Sequence, residues 1–260
     1  MILAHYVLRS VKDRLNFLMC IAFPSVMITI MTMAGNANAD GLNIIDGYNL
    51  SATNNATFNA IFFMFFSAMI VTDYLYTEFR SDLRWRLMAA PVRFRKFIIS
   101  AIGASMIVTA INTTIVMLFG RFALNAYLHN IFVTSATLVL LAVFVTFIGV
   151  LCFMLVPKKS TSNAILMAFA FAQMLPLQFG MLSIERGVIG VASFIPVMAA
   201  VQAVTYAGTM MLDFLGTGFA DGVVRVDADM TMALTHLGIV AGYAALAAIA
   251  VAIAGRTRKI

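Results

Sequence analysis

Charged side chains are scarce in this chain: Asp, Glu, Lys and Arg together make up 11% of its 260 residues. A soluble domain carries about a quarter. Against that shortage stands a hydrophobic content of 62% and a mean hydropathy of +0.97. A soluble core of this length has no room for so much apolar surface, so a soluble globular fold is excluded and lipid has to be the solvent for much of the chain. Cysteine is also sparse. Cys20 and Cys152 both lie inside apolar runs, and their spacing fits neither a disulfide framework nor a metal site. They read as small packing residues.

Catalytic and nucleotide-binding motifs are missing as well. The chain has no G-x-x-x-x-G-K-[ST] loop, so it does not cradle ATP in that manner. It has no H-E-x-x-H, no G-x-S-x-G and no pair of apposed carboxylates. His5, His129 and His236 fall near three different ends of apolar runs, which suits interfacial or packing roles better than ligation. Within those runs Asp73 is the only carboxylate, near one end, where it is expected to reach the interface or pair with Arg80 or another nearby base. A carrier driven by protons or sodium needs buried carboxylates, so energy for any transport has to come from elsewhere. Nothing in the sequence argues for an enzyme on this chain.

What the sequence does contain is a series of apolar runs. Crossing the hydrocarbon core takes roughly 20 apolar residues as a helix. By that ruler six spans are expected, at about 17–35, 56–76, 97–119, 131–156, 164–184 and 232–255, in a single transmembrane domain over 1–260. The first run is followed by Ala37-Asn38-Ala39, in the manner of a signal-peptidase site, but it is longer than a signal h-region and reads as a span.

A net charge of +6 and a pI near 9.6 raise nucleic acid as a partner, but the basic residues are dispersed in short clusters between apolar runs. All of them except Arg121, Arg186 and Arg225 fall on one side of the expected membrane, which assigns both termini to the cytoplasm.

Three segments are expected to depart from simple spans. Residues 2–18 alternate apolar and basic positions at helical spacing, with Ile2, Tyr6, Leu8, Val11 and Leu15 on one side and Arg9, Lys12 and Asp13 toward water. That pattern suits a helix lying at the inner interface. Residues 36–55 form a polar outer loop without a basic residue. Pro176 and Gly180 interrupt the fifth run at its outer end, and Pro196 lies in a shorter one over 188–207, which is expected as a partly re-entrant outer helix.

The most concentrated charge is the stretch RSDLRWRLMAAPVRFRKF at 80–97. Leu83, Leu87 and Ala90 make a narrow apolar stripe at helical spacing, Pro91 ends the helix, and Trp85, the chain's one tryptophan, suits an interfacial anchor. A short cytoplasmic helix with a basic surface follows. From the residues alone it fits anionic lipid and a cytoplasmic protein equally well.

The run LRWRLMAAPVRFRKFIISAIGA resembles the loop between spans two and three in the type-2 family of ABC transporter permeases. Arg86-Leu87-Met88-Ala89-Ala90-Pro91-Val92 follows the core of the family's motif, and Glu78 sits where the family has its acids. Asp82 replaces the usual glycine, and Trp85 the usual acid. Pro196-Val197-Met198-Ala199-Ala200 is similar to the family's Asn-Pro-Leu-Thr-Tyr-Ala segment, with Ile195 in place of the Asn.

This resemblance implies an all-α polytopic membrane protein. Its parts would be six transmembrane helices, the N-terminal interfacial helix, a cytoplasmic coupling helix over 77–91 and the re-entrant outer helix. It implies the permease subunit of an exporter in a bacterial inner membrane, moving a hydrophobic or amphipathic compound such as a drug, antibiotic peptide or lipid-like molecule. The alternatives are a polysaccharide or glycolipid exporter subunit of the same architecture, or a membrane-embedded protein not coupled to an ATPase. Two ATP-binding subunits would carry ATP and magnesium on separate chains, leaving no cofactor here, and a second copy or a sister permease would complete the dimer. The residues implied in coupling are Glu78, Arg80, Leu83, Arg84, Arg86, Leu87 and Pro91. Asn112, Thr113 and Thr114 in span three and Gln173 and Gln178 in span five are candidates to face a translocation path. They are equally able to bond across helix interfaces, the commoner use of such residues.

Overall fold

A computed structural model describes residues 2–37, 44–45, 48–80, 94–127, 130–173, 194–208, 210–211, 224–225 and 229–257. Among them are eight helices. We name them α1 (Ile2–Lys12), α2 (residues 14–37), α3 (residues 50–79), α4 (Phe94–Leu124), α5 (Ile131–Leu155), α6 (Lys159–Ala172), α7 (Pro196–Tyr206) and α8 (Met230–Thr257). Two antiparallel two-stranded ribbons join them, Ile44–Ile45 with Tyr48–Asn49 and Met210–Met211 with Val224–Arg225.

Five helices are long and apolar enough to cross a membrane: Leu18–Asn36, Ser51–Phe79, Phe97–Leu124, Ile131–Leu155 and Met230–Gly255. The fifth expected span, 164–184, lies partly outside the described residues. Its described part belongs to α6, whose 14 residues are too few to cross alone. The buried helix α7 lies within the stretch expected to be re-entrant. The expected coupling helix at 77–91 lies mostly outside the described residues, since 81–93 are not among them.

Local chemistry explains the helix ends. The expected polar loop 36–55 is shorter than anticipated, because Asn49 caps α3 by accepting from the Ala52 amide at 2.9 Å. Asn130 caps α5, accepting from Phe132 and Val133 at 3.1 and 3.4 Å. Asp229 accepts from Met232 at 3.0 Å to start α8. Pro196 occupies the first turn of α7, where a missing amide proton costs nothing. After α4, Asn125 adopts the left-handed φ of 54°, and the Ala126 amide reaches back to the Gly120 carbonyl at 3.0 Å. Asparagine tolerates that turn better than most side chains.

Helix α3 is the hub, packing against α2, α4, α5, α6 and α7. Of its most apolar stretch 78% is buried, against 22% for α2 and 17% for α8, which turn most of their side chains outward. The main core joins Phe62, Phe65 and Phe66 of α3 to Leu141 and Phe144 of α5, Leu166 of α6, Val197 and Val204 of α7 and Val240 of α8. A second core lies toward the end of α3 nearest residue 79, where Tyr6, Tyr74, Leu75, Phe79, Val108 and Phe153 meet. Helix α1 docks there on α4.

Candidate functional site

The described part of the expected coupling region is the end of α3. Its charged residues are taken up within the chain. Arg9 of α1 contacts Glu78 at 3.3 Å and Asp73 at 3.8 Å, and Lys159 at the start of α6 pairs with the other oxygen of Asp73. One carboxylate-rich face of α3 thus holds a base from α1 and another from α6. Of the alternatives expected for Asp73, pairing with another base holds, through Arg9 and Lys159, whereas Arg80 is engaged elsewhere.

Arg80 closes the neighbouring helix. Its guanidinium donates to the Phe153 carbonyl at 2.7 Å and to the Val156 carbonyl, and it lies 5.0 and 4.9 Å from the ring centres of Tyr76 and Phe153. The last carbonyls of α5 have no helical partners, and the negative end of its dipole favours a cation. Tyr76 adds a hydroxyl to the same Val156 carbonyl at 2.6 Å.

Helix α1 is fastened on the same side. The Tyr74 hydroxyl donates to the Tyr6 carbonyl at 2.9 Å, the two rings lie 5.1 Å apart, and Arg9 sits over the Tyr74 ring. Burial, and then the nearby Glu78, pushes the Tyr6 phenol up to about 12. The expected apolar side of α1 is therefore divided: Tyr6 is buried, whereas Leu8 is 58% exposed and Arg9 turns inward to its carboxylates.

Of the other implied coupling residues, Leu83, Arg84, Arg86, Leu87 and Pro91 lie outside the described residues. The candidate path residues separate. Asn112 and Thr113 are buried on the inward face of α4. The Thr113 hydroxyl returns to its own helix at the Thr109 carbonyl, 2.9 Å away, and Thr114 does likewise from an exposed position at 2.7 Å. Gln173 ends α6 with its side-chain oxygen buried and unpartnered, and Gln178 lies outside the described residues.

Of the roles expected for His236, the structure shows packing. It is a buried residue of α8, stacked 5.4 Å from the Tyr206 ring, with Nδ1 2.8 Å from the Met232 carbonyl and Nε2 unpartnered. A carbonyl accepts only, so Nδ1 carries a hydrogen there. The place of His236 near a span end concealed how completely α7 covers it. Among the described residues no group of three His, Cys, Asp or Glu is arranged to hold a metal ion.

No family model, no curated protein and no solved structure matches the chain. The helices and their contacts therefore carry the functional reading by themselves.

Proposed function

We propose that this chain is the membrane permease subunit of an ATP-driven exporter in a bacterial inner membrane, with both termini cytoplasmic. It has six crossings, α6 belonging to the fifth, and α7 is the partly re-entrant outer helix. Helix α1 lies at the inner interface. Two separate ATP-binding subunits grip the basic segment 81–93, and a second permease copy or sister chain faces this one across the export path. The cargo is hydrophobic or amphipathic.

One observation carries the reading. The basic segment begins at the end of α3, where Glu78 is tied to α1, Arg80 to the last carbonyls of α5, and Asp73 to α6. A plain lipid-binding loop needs no such footing. A displacement applied to the segment reaches α1, α3, α5 and α6 together, which suits a lever that turns ATPase closure into rigid-body movement. Glu78 and Arg80 then act as the base of that lever, and Arg84 and Arg86 as its gripping surface.

Purification from native membrane tests this directly, with recovery of an ATP-binding subunit expected. The double charge reversal Arg84→Glu with Arg86→Glu should abolish stimulation of that subunit's ATPase while leaving membrane insertion intact. Reproducible recovery of the chain without any ATPase would overturn the proposal.

A further inference from the structure

Two adjacent helices leave regular α pitch at the same level. In α2, Leu18–Ala22 form a π turn in which the Phe23 amide bonds the Leu18 carbonyl. In α3, Phe65–Ser67 form a tighter 3-10 turn. The two turns are in contact. Cys20 Sγ lies 3.9 Å from Ser67 Oγ, and Asn112 of α4 reaches the same thiol, so three helices meet at one polar node inside an apolar interior.

The sequence supplies the cause of the π turn. Pro24 follows it by two residues and has no amide proton, so the Cys20 carbonyl has no donor at the α-helical position. Proline and π turns are the usual seats of helix bending, and a 3-10 stretch inside a helix often marks a hinge. Backbone groups freed in an apolar interior need local replacements. Next to the freed group, the Ser25 hydroxyl donates to the Ile21 carbonyl at 2.7 Å.

The parts on either side of this level are stiff. Toward the charged end, Ala68–Phe79 is clamped to α5, because a Cβ on Gly149 would stand 2.6 Å from the Ala68 carbonyl oxygen, and Arg9 ties α1 to the same segment. Toward the other end, Leu50–Met64 is held to α4 where a Cβ on Gly120 would meet the Ala56 Cβ at 2.7 Å. The rings of Phe23 and Phe63 join the outer parts of α2 and α3 at 5.4 Å.

We infer that the paired π and 3-10 turns form a hinge. The base, comprising α1, the first turn of α2 and Ala68–Phe79, swings as one body against the outer parts of α2 and α3. Cys20, Ser67 and Asn112 exchange hydrogen-bond partners as it bends. The inference needs neither an ATPase nor a cargo, so it stands or falls separately from the export reading.

The test uses the whole chain in lipid nanodiscs, without any partner, in a Cys152→Ser background. Alkylation of the buried Cys20 by N-ethylmaleimide is followed by mass spectrometry. Hinge opening exposes the thiol, so labelling should proceed measurably, and Pro24→Ala, which restores the amide donor, should slow it at least tenfold. A Cys20 that never labels, or that labels at the same rate in both chains, overturns the hinge. A second variant, Ser67→Cys, should crosslink to Cys20 under copper-phenanthroline oxidation, and failure to do so would refute the node itself.

Discussion

The hydroxyl of Thr72 lies 3.3 Å from the carbonyl oxygen of Gly149 and 2.8 Å from that of Ala68, so one side chain on α3 serves two backbones where α3 crosses α5. The crossing is close enough to exclude any side chain at 149. A Cβ there would stand 2.5 Å from Val71 Cγ1 as well as 2.6 Å from the Ala68 oxygen, and a backbone carbonyl cannot swing aside as a side-chain tip can. Gly149→Ala should therefore destabilise the fold by about 1–3 kcal/mol, the range for an overpacked interior. Thermal unfolding in detergent measures it, and an unshifted midpoint would mean that the helices separate at little cost.

Arg80 acts on α5 through a fork of two donors. Arg80→Ala should lower stability by about 1 kcal/mol, the scale of a cation at a helix C-terminus. Arg80→Lys should recover less than half of that, because one ammonium cannot span two carbonyls and stack on Tyr76 and Phe153 together. Full rescue by Lys would show that charge alone matters there.

The Arg9–Glu78 pair joins α1 to α3 with 35% and 15% of the two side chains exposed. A double-mutant cycle with Arg9→Ala and Glu78→Ala should return a coupling of roughly 0.5–1 kcal/mol, small because water still reaches the arginine. High salt should shrink it. A coupling of zero at low salt would leave Tyr6 and Tyr74 as the fastening of α1.

Tyr6 gives the base an alkaline limit. In the folded chain its phenol holds its proton up to about pH 12, whereas an unfolded tyrosine releases it near 10. Between those values the unfolded state binds fewer protons than the folded one, so stability falls as pH rises through that window and is fully present below it. Absorbance titration should show one phenol ionising near pH 12 that is absent in Tyr6→Phe. The variant should also lose part of the alkaline destabilisation, and identical titrations would contradict the burial of this ring.

Much of the architecture was legible along the chain because lipid imposes a length on every crossing. The run at 131–156 reads as a span from composition alone, and α5 covers Ile131–Leu155. Capping was less legible. Asn49 and Asn130 look like ordinary loop residues until the helix that each starts is known. Pro24 was a readable signal of irregular pitch in the first span, hidden by the strong hydrophobicity around it. The partner of Asp73 was not readable at all: Lys159 lies 86 residues away, and only the docking of α6 on α3 brings the two together.

The sequence by itself determined that the chain is dominated by apolar helices, and where the five helices of membrane-crossing length lie among the described residues. Those properties depend on the transfer of each residue between water and lipid, a quantity fixed by neighbours along the chain. Tertiary structure alone decided that Arg80 seals α5 instead of facing outward, that Arg9 turns in to Glu78, and that Cys20 meets Ser67 where two helices change pitch. Such pairings depend on which helix faces which, and that is set by how small residues such as Gly149 let backbones approach, not by any spacing visible in the chain.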